Sequence, residues 1–133
     1  MEPKVRQTYL YDFYGELLNE HQQKIFEAFV FDDLSLGEIA EEQDISRQAV
    51  FDLVKRATSK LEGYENKLHL MARFMELREK AVGIRQRAEA YEKCHESIFL
   101  EEIKQLSGEI IEELWHMAFD SLSEKLQNVF KNL

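Results

Sequence analysis

At 133 residues, 44% of them apolar, the chain suffices for one domain, or a small domain with an extension, and can build a core. One proline and five glycines leave almost nothing to punctuate a β-sheet or a disordered tail, so an all-α protein is expected. A formal charge of −9 argues against a protein that merely coats nucleic acid, because phosphate neutralisation drives non-specific affinity.

The distribution of charge says more than the total. Residues 1–45 carry 11 acids and 3 bases, residues 46–93 carry 11 bases and 7 acids, and residues 94–133 carry 3 bases and 8 acids. A modest basic middle therefore sits between acidic flanks, which suits nucleic-acid contact but equally suits segments that pair with one another. No apolar run approaches the roughly 20 residues of a membrane span, and no signal-peptide pattern opens the chain. Cys94 is the single cysteine, which excludes an internal disulfide and fits a reducing cytoplasm.

In chain order, a first helix is expected over residues 4–18. Tyr9, Leu10, Phe13, Tyr14, Leu17 and Leu18 recur at three- and four-residue steps, a stripe more natural to a core than to a ligand box. Asn19 with Gln22 is a cap signature for a second helix running from Glu20 to about Phe31, with Ile25, Phe26, Phe29 and Val30 on its inner face.

Leu34 to Lys60 is the most informative stretch. Ser35 with Glu38 makes a capping box, Leu36, Ile39 and Ala40 form a short apolar face, and Asp44-Ile45-Ser46 interrupts it. Ser46 then caps a second motif helix whose inner face is Ala49, Val50, Leu53 and Val54. Small Ala40 permits close approach, and Val50 packs back across the turn, which is the arithmetic of a helix-turn-helix. An ordinary αα-hairpin is the plainer alternative. Asp44 departs from the glycine usual at such a turn, though Asp tolerates a left-handed conformation better than most residues.

Outward positions of the second motif helix are Arg47, Gln48, Phe51, Asp52, Lys55 and Arg56. Arg47 and Gln48, near the N-terminus with the cap Ser46, could read guanine and adenine edges. Lys55, Arg56 and Lys60 lie on later turns and suit phosphate. Phe51 could press on a thymine methyl or lie buried against a neighbour. Asp52 repels phosphate unless Arg56, four residues on, pairs with it.

The runs YLYDFYGELL and SLGEIAEEQDISRQAVFDLVKRATSKLEGYENKL resemble the YlxM-like family of small bacterial helix-turn-helix proteins. The motif also resembles region 4 of bacterial sigma factors, which reads the −35 promoter element. The resemblance covers residues 5–70, with SLGEIA and SRQAV its most specific parts. It implies a non-enzymatic cytosolic protein linked to the signal recognition particle, acting in that pathway or on its expression.

Two segments are expected: residues 1–66 as a four-helix, sigma region 4-like helix-turn-helix domain, and residues 67–133 as a long helical hairpin for oligomerisation or partner binding. In the second, Leu70, Phe74, Leu77, Ala81, Ile84, Ala88, Tyr91, His95 and Ile98 follow a heptad seam, flanked by Arg73, Arg78, Lys80, Arg85 and Arg87, with Glu92 and Cys94 only at its end. A parallel homodimer along it would oppose like charges. A second stripe, Ile103, Leu106, Ile110, Leu114, Met117, Ser121, Leu126 and Val129, carries Glu109, Glu112, Glu113, Asp120 and Glu124 beside it. A turn near Leu100–Lys104 or Ser107-Gly108 would pair the two antiparallel. Ile111, Trp115, Ala118, Phe119, Leu122 and Phe130 widen the second stripe, so that packing within the fold, a second protomer or a protein partner could cover it.

No phosphate-cradling loop occurs, and His21, His69, His95 and His116 lie far apart, so neither a cofactor, a metal nor a catalytic constellation is expected. Nucleic-acid binding, with DNA as the first partner, is the leading expectation. The alternatives are an accessory protein that uses the basic edge Arg73, Arg78, Lys80, Arg85 and Arg87 on the particle's RNA or docks on one of its proteins, and an interaction module that grips a helical partner. A homodimer would suit paired half-sites.

Overall fold

A computed structural model describes the backbone of residues 1–131 and the side chains of residues 1–118 and Glu124. The expected stripe members Phe119, Asp120, Ser121, Leu122, Leu126, Val129 and Phe130 lie outside the described side chains. Six α-helices carry the described chain: α1 (Pro3–Tyr14), α2 (Glu20–Val30), α3 (Leu36–Gln43), α4 (Arg47–Leu68), α5 (Leu70–Cys94) and α6 (Ser97–Lys131). There is no strand among the described residues, so the chain is all-α. It divides into two compact units, Met1–Arg73 and Phe74–Leu133.

The first helix ends sooner than its stripe suggests. α1 stops at Tyr14, and a 3-10 turn over Gly15–Leu17 rotates the chain, so Leu18 is buried while Leu17 faces outward. Gly15 is required for this close turn, because a Cβ there would lie 2.8 Å from the Tyr11 ring. That ring stacks on Phe26 at 5.4 Å, and its hydroxyl donates to Glu27. The next two helices start as their capping boxes dictate. Asn19 Oδ1 accepts the Gln22 N–H at 2.8 Å and Ser35 Oγ accepts the Glu38 N–H at 3.1 Å, each with the reciprocal side-chain bond.

Ile25, Ala28, Ile39, Ala40, Val50 and Val54 make the motif's core, with Phe29, Leu34, Leu36, Ile45 and Leu53 packed around it. Leu10, Tyr14, Leu18, Phe26, Val30, Ala57, Leu61 and Met71 complete the buried apolar interior of the first unit. Burying a side chain the size of leucine or phenylalanine contributes about 1.5–3 kcal/mol, so this interior outweighs any single surface bond. Across it, Arg6 grips Glu62 through two bonds of 2.6 and 2.7 Å. The Arg6 hydrogen bond holds the Glu62 carboxyl below the usual carboxylate range, against the opposing effect of its partial burial.

α4 runs 22 residues, beyond the motif, and ends at His69 in a left-handed conformation (φ 56°). α5 follows at once, and its first N–H groups are satisfied by a buried carboxylate from the preceding helix. Glu65, 5% exposed, accepts the Met71 and Ala72 N–H groups at 3.0 Å each and the Tyr14 hydroxyl at 2.6 Å. A negative charge is favourable at that helix terminus. Burial and then the bond to Glu65 push the Tyr14 phenol up, while the Leu70 N–H donated to its oxygen at 3.2 Å acts the other way.

In the second unit α5 and α6 form the antiparallel hairpin, but the turn lies earlier than expected. It falls at His95-Glu96, where His95 takes φ 54°, not at Leu100–Lys104 or Ser107-Gly108. The residues that meet are also shifted from the heptad seam. Gly83 approaches α6 so closely that a Cβ would lie 3.1 Å from Leu106, and Arg87 Nε donates to Glu102 at 2.8 Å. Ala81 and Ala88 of the seam are exposed. The smallest residue decides the line of closest approach, and heptad counting gives Gly83 no weight.

Candidate nucleic-acid interface

The candidate surface is the outer face of α4. Its start is set by Ser46, whose Oγ accepts the Ala49 N–H at 3.0 Å. Its angle to α3 is set by the turn, where Asp44 adopts φ 53° and ψ 47° and its N–H closes on the end of α3. Asp44 therefore does the work expected of a glycine. With Val50, Val54, Ala57 and Leu61 buried, a period of about 100° per residue turns the opposite side outward.

That outer side carries Gln48, Asp52, Lys55 and Ser59 along its middle, with Phe51 and Arg56 beside them and Arg47 and Lys60 at the margins. Arg47, Gln48, Lys55, Arg56 and Lys60 are all exposed, as is the cap Ser46. Ser59 was not singled out by sequence reasoning, although it lies four residues after Lys55 on the same face. Phe51 is 47% exposed, neither buried nor free-standing. It overhangs a groove of about 470 Å³ with an apolar floor of Phe29, Leu36 and Val54.

Asp52 does not pair with Arg56 as the sequence suggested. It accepts from Gln48 Nε2 at 3.1 Å, four residues before it. The carboxylate thus turns back along the helix toward Gln48. One amide hydrogen of Gln48 is thereby committed, while the second hydrogen and the carbonyl stay available.

The five bases proposed as an alternative edge do not form one. Arg73 belongs to the first unit, and along α5 Lys80 and Arg87 lie toward α6 while Arg78 and Arg85 lie on the far side. Three of them are also paired: Lys80 with Glu76 at 3.4 Å, Arg85 with Glu89 at 3.3 Å and Arg87 with Glu102 at 2.8 Å. No group of three or more metal-ligating side chains occurs among the described residues. Nor is any helix among them long and apolar enough to cross a membrane.

Comparison with known proteins agrees with this geometry. Residues 1–107 match the model of the UPF0122 family, described as "Putative helix-turn-helix protein, YlxM / p13 like". The UPF0122 protein BH2485 of Halalkalibacterium halodurans is 53% identical over 74 residues, 56% of this chain and 68% of that protein. The UPF0122 protein of Bacillus thuringiensis (strain Al Hakam) is 43% identical over 98 residues, 74% of this chain and 89% of that protein. UPF0122 protein BcerKBAB4_3669 of Bacillus mycoides matches to the same extent. With its capped motif in place and the match spanning well over half its length, the chain belongs to the YlxM/p13-like helix-turn-helix family.

Proposed function

We propose that the chain is a regulatory protein that binds duplex DNA by laying the N-terminal turns of α4 into the major groove. The observation that carries this reading is the exposed row Arg47, Gln48, Lys55, Arg56 and Lys60 on a helix held rigidly by the motif core. Arg47 and Gln48 read base edges, Lys55, Arg56 and Lys60 hold phosphates, and Ser46 and Ser59 add hydroxyl donors to the backbone. Phe51 offers its exposed edge to a thymine methyl. The protein is a binder and not a catalyst, and it acts in the cytoplasm where the chromosome lies.

Asp52 has a place in this reading. It holds the Gln48 amide so that the remaining N–H and the carbonyl can pair with adenine. Replacing Asp52 with Ala removes a repulsive charge and should raise affinity for all DNA, while discrimination at the adenine falls. A structurally neutral Asp52 would move only the first quantity.

A second reading is favoured by the net charge of −9. Here the chain is an accessory protein of the signal recognition particle, and its hairpin holds the particle's RNA or one of its proteins. The divided, locally paired bases of α5 weaken the RNA form of this idea.

Both readings face one experiment. Wild type and a Lys55→Ala, Arg56→Ala, Lys60→Ala triple variant are titrated with a random-sequence duplex pool and with the particle's small RNA across a salt series. Wild type should select a subset of duplexes, and each lysine removed should reduce the salt slope by about one unit. Arg47→Ala or Gln48→Ala should shift the selected sequence, at about 1–3 kcal/mol per lost base contact. Retention of DNA binding by the triple variant, or binding of RNA alone, would overturn the major-groove reading.

A further inference from the structure

Beside the groove under Phe51 lies a second hollow, of about 410 Å³, lined by Leu36, Arg47, Gln48 and Phe51. Leu36 and Phe51 line both concavities, so the apolar surface of the groove continues into the hollow. Leu36 is the least exposed of the four, while the other three stand open to solvent. Its position is fixed from two sides. The Ser35–Glu38 capping box sets the start of α3, where Leu36 is the first helical residue. Buried Ile39, Ala40 and Val50 hold α3 against the start of α4. Gln48 and Phe51, three residues apart, are neighbours on the α4 surface.

We propose that this hollow reads a single A·T pair from both of its bases, which makes Leu36 of α3 a specificity-determining residue. The inference rests on the reading of α4 as a major-groove helix and names what its first turn selects. Along the major-groove edge, base pairs offer hydrogen-bond donors, acceptors and one apolar group, the thymine methyl. The hollow holds partners of both kinds. Asp52 takes one Gln48 N–H at 3.1 Å, which leaves the second N–H and the carbonyl for N7 and N6 of adenine. Leu36 and Phe51 offer no hydrogen bond and suit the methyl of the thymine opposite.

Other groups of the duplex match the hollow less well. A G·C pair has no methyl, and its cytosine amino group would lie against apolar side chains without an acceptor. A phosphate would engage Arg47 alone and leave Leu36 and Phe51 without a role. Phe51 by itself would be an ordinary exposed side chain, since single surface hydrophobics are common. Leu36, from a different helix, makes it one wall of a preformed cleft. Spacing along α4 gives no sign of this, because Leu36 reads in the sequence only as part of the inner face of α3.

The probe is a duplex selected by the full chain from the random pool, at the A·T pair whose preference Gln48→Ala removes. Replacing thymine by uracil there deletes the methyl and leaves every hydrogen-bonding group of the pair in place. Wild type should bind the uracil duplex about three- to five-fold more weakly, the effect of one buried methyl. Phe51→Ala and Leu36→Ala should each bring the thymine-to-uracil affinity ratio close to one. That ratio does not depend on the fraction of protein folded, so a destabilised variant still reports on the cleft. Lys55→Ala should weaken both duplexes and leave the ratio unchanged. If no duplex is selected, the major-groove reading fails and this inference falls with it. If a duplex is selected but uracil at that pair binds as well as thymine, the methyl cleft alone fails. An unchanged ratio in Phe51→Ala or Leu36→Ala would also overturn the cleft, and a selected duplex with no adenine preference dependent on Gln48 would overturn the two-base reading.

Discussion

The two units of this protein solve the burial problem differently. In residues 1–73 four helices surround a closed interior in which Leu10, Ile25, Phe26, Ile39, Val50, Ala57 and Leu61 are wholly inaccessible. In the hairpin, two helices form a single layer, and among the described residues from Phe74 onward no apolar side chain is buried. A two-helix layer has no second layer to cover its faces. The first unit therefore closes on its own interior, whereas the described part of the second leaves its apolar side chains partly or fully open to solvent.

That contrast can be broken most forcefully in the core. Phe26→Ala should cost about 3–5 kcal/mol through lost transfer energy and an unfilled cavity, measured by urea unfolding. Ile111→Ala, an apolar truncation in the exposed hairpin face, should cost under about 0.5 kcal/mol. Equal losses would mean that the hairpin is not an open layer.

The junction between α4 and α5 is the next largest effect. Glu65→Ala orphans two helix-terminal N–H groups and the Tyr14 hydroxyl, and should cost about 3 kcal/mol. Glu65→Gln keeps an acceptor and should cost about 1 kcal/mol. Thermal melts of the two variants decide this, and similar values would show that charge, not acceptance, is what matters there.

Two smaller effects sharpen the picture of the first unit. Asp44→Gly relieves a left-handed β-carbon and removes a negative charge from the C-terminal end of α3, so it should stabilise by about 0.5–1 kcal/mol in urea unfolding. The Arg6–Glu62 bridge is partly exposed and should contribute no more than ~0.5 kcal/mol. Because the folded Glu62 pKa is depressed, that contribution is present above the unfolded value of ~4.3 and is lost as pH falls through the folded one. Stability measured between pH 5 and 2 should fall more steeply in wild type than in Arg6→Gln. Parallel curves would assign the acid lability to other carboxylates.

The helix-turn-helix was legible because its signals are local. Ser35 with Glu38, Asn19 with Gln22, and Ser46 are bonds between residues three apart, and the structure makes each of them. The outward row from Arg47 to Lys60 followed from periodicity once the inner face was known. Glu65 escaped notice although it falls in register with Val54, Ala57 and Leu61. A carboxylate at a core position becomes interpretable only when the N–H groups of Met71 and Ala72 are brought to it. Gln48 with Asp52 was available at i, i+4 spacing, but so was Asp52 with Arg56, and spacing does not choose between them.

By itself the chain's order of residues determined the helices, their caps, the motif and the face that α4 turns outward, because these depend on neighbours within one or two turns. Tertiary structure decided where α1 gives way to its 3-10 turn, where α5 turns back, and that Gly83 comes up against Leu106 of α6. Those outcomes depend on how closely two backbones can approach, a quantity set by side chains distant in the chain.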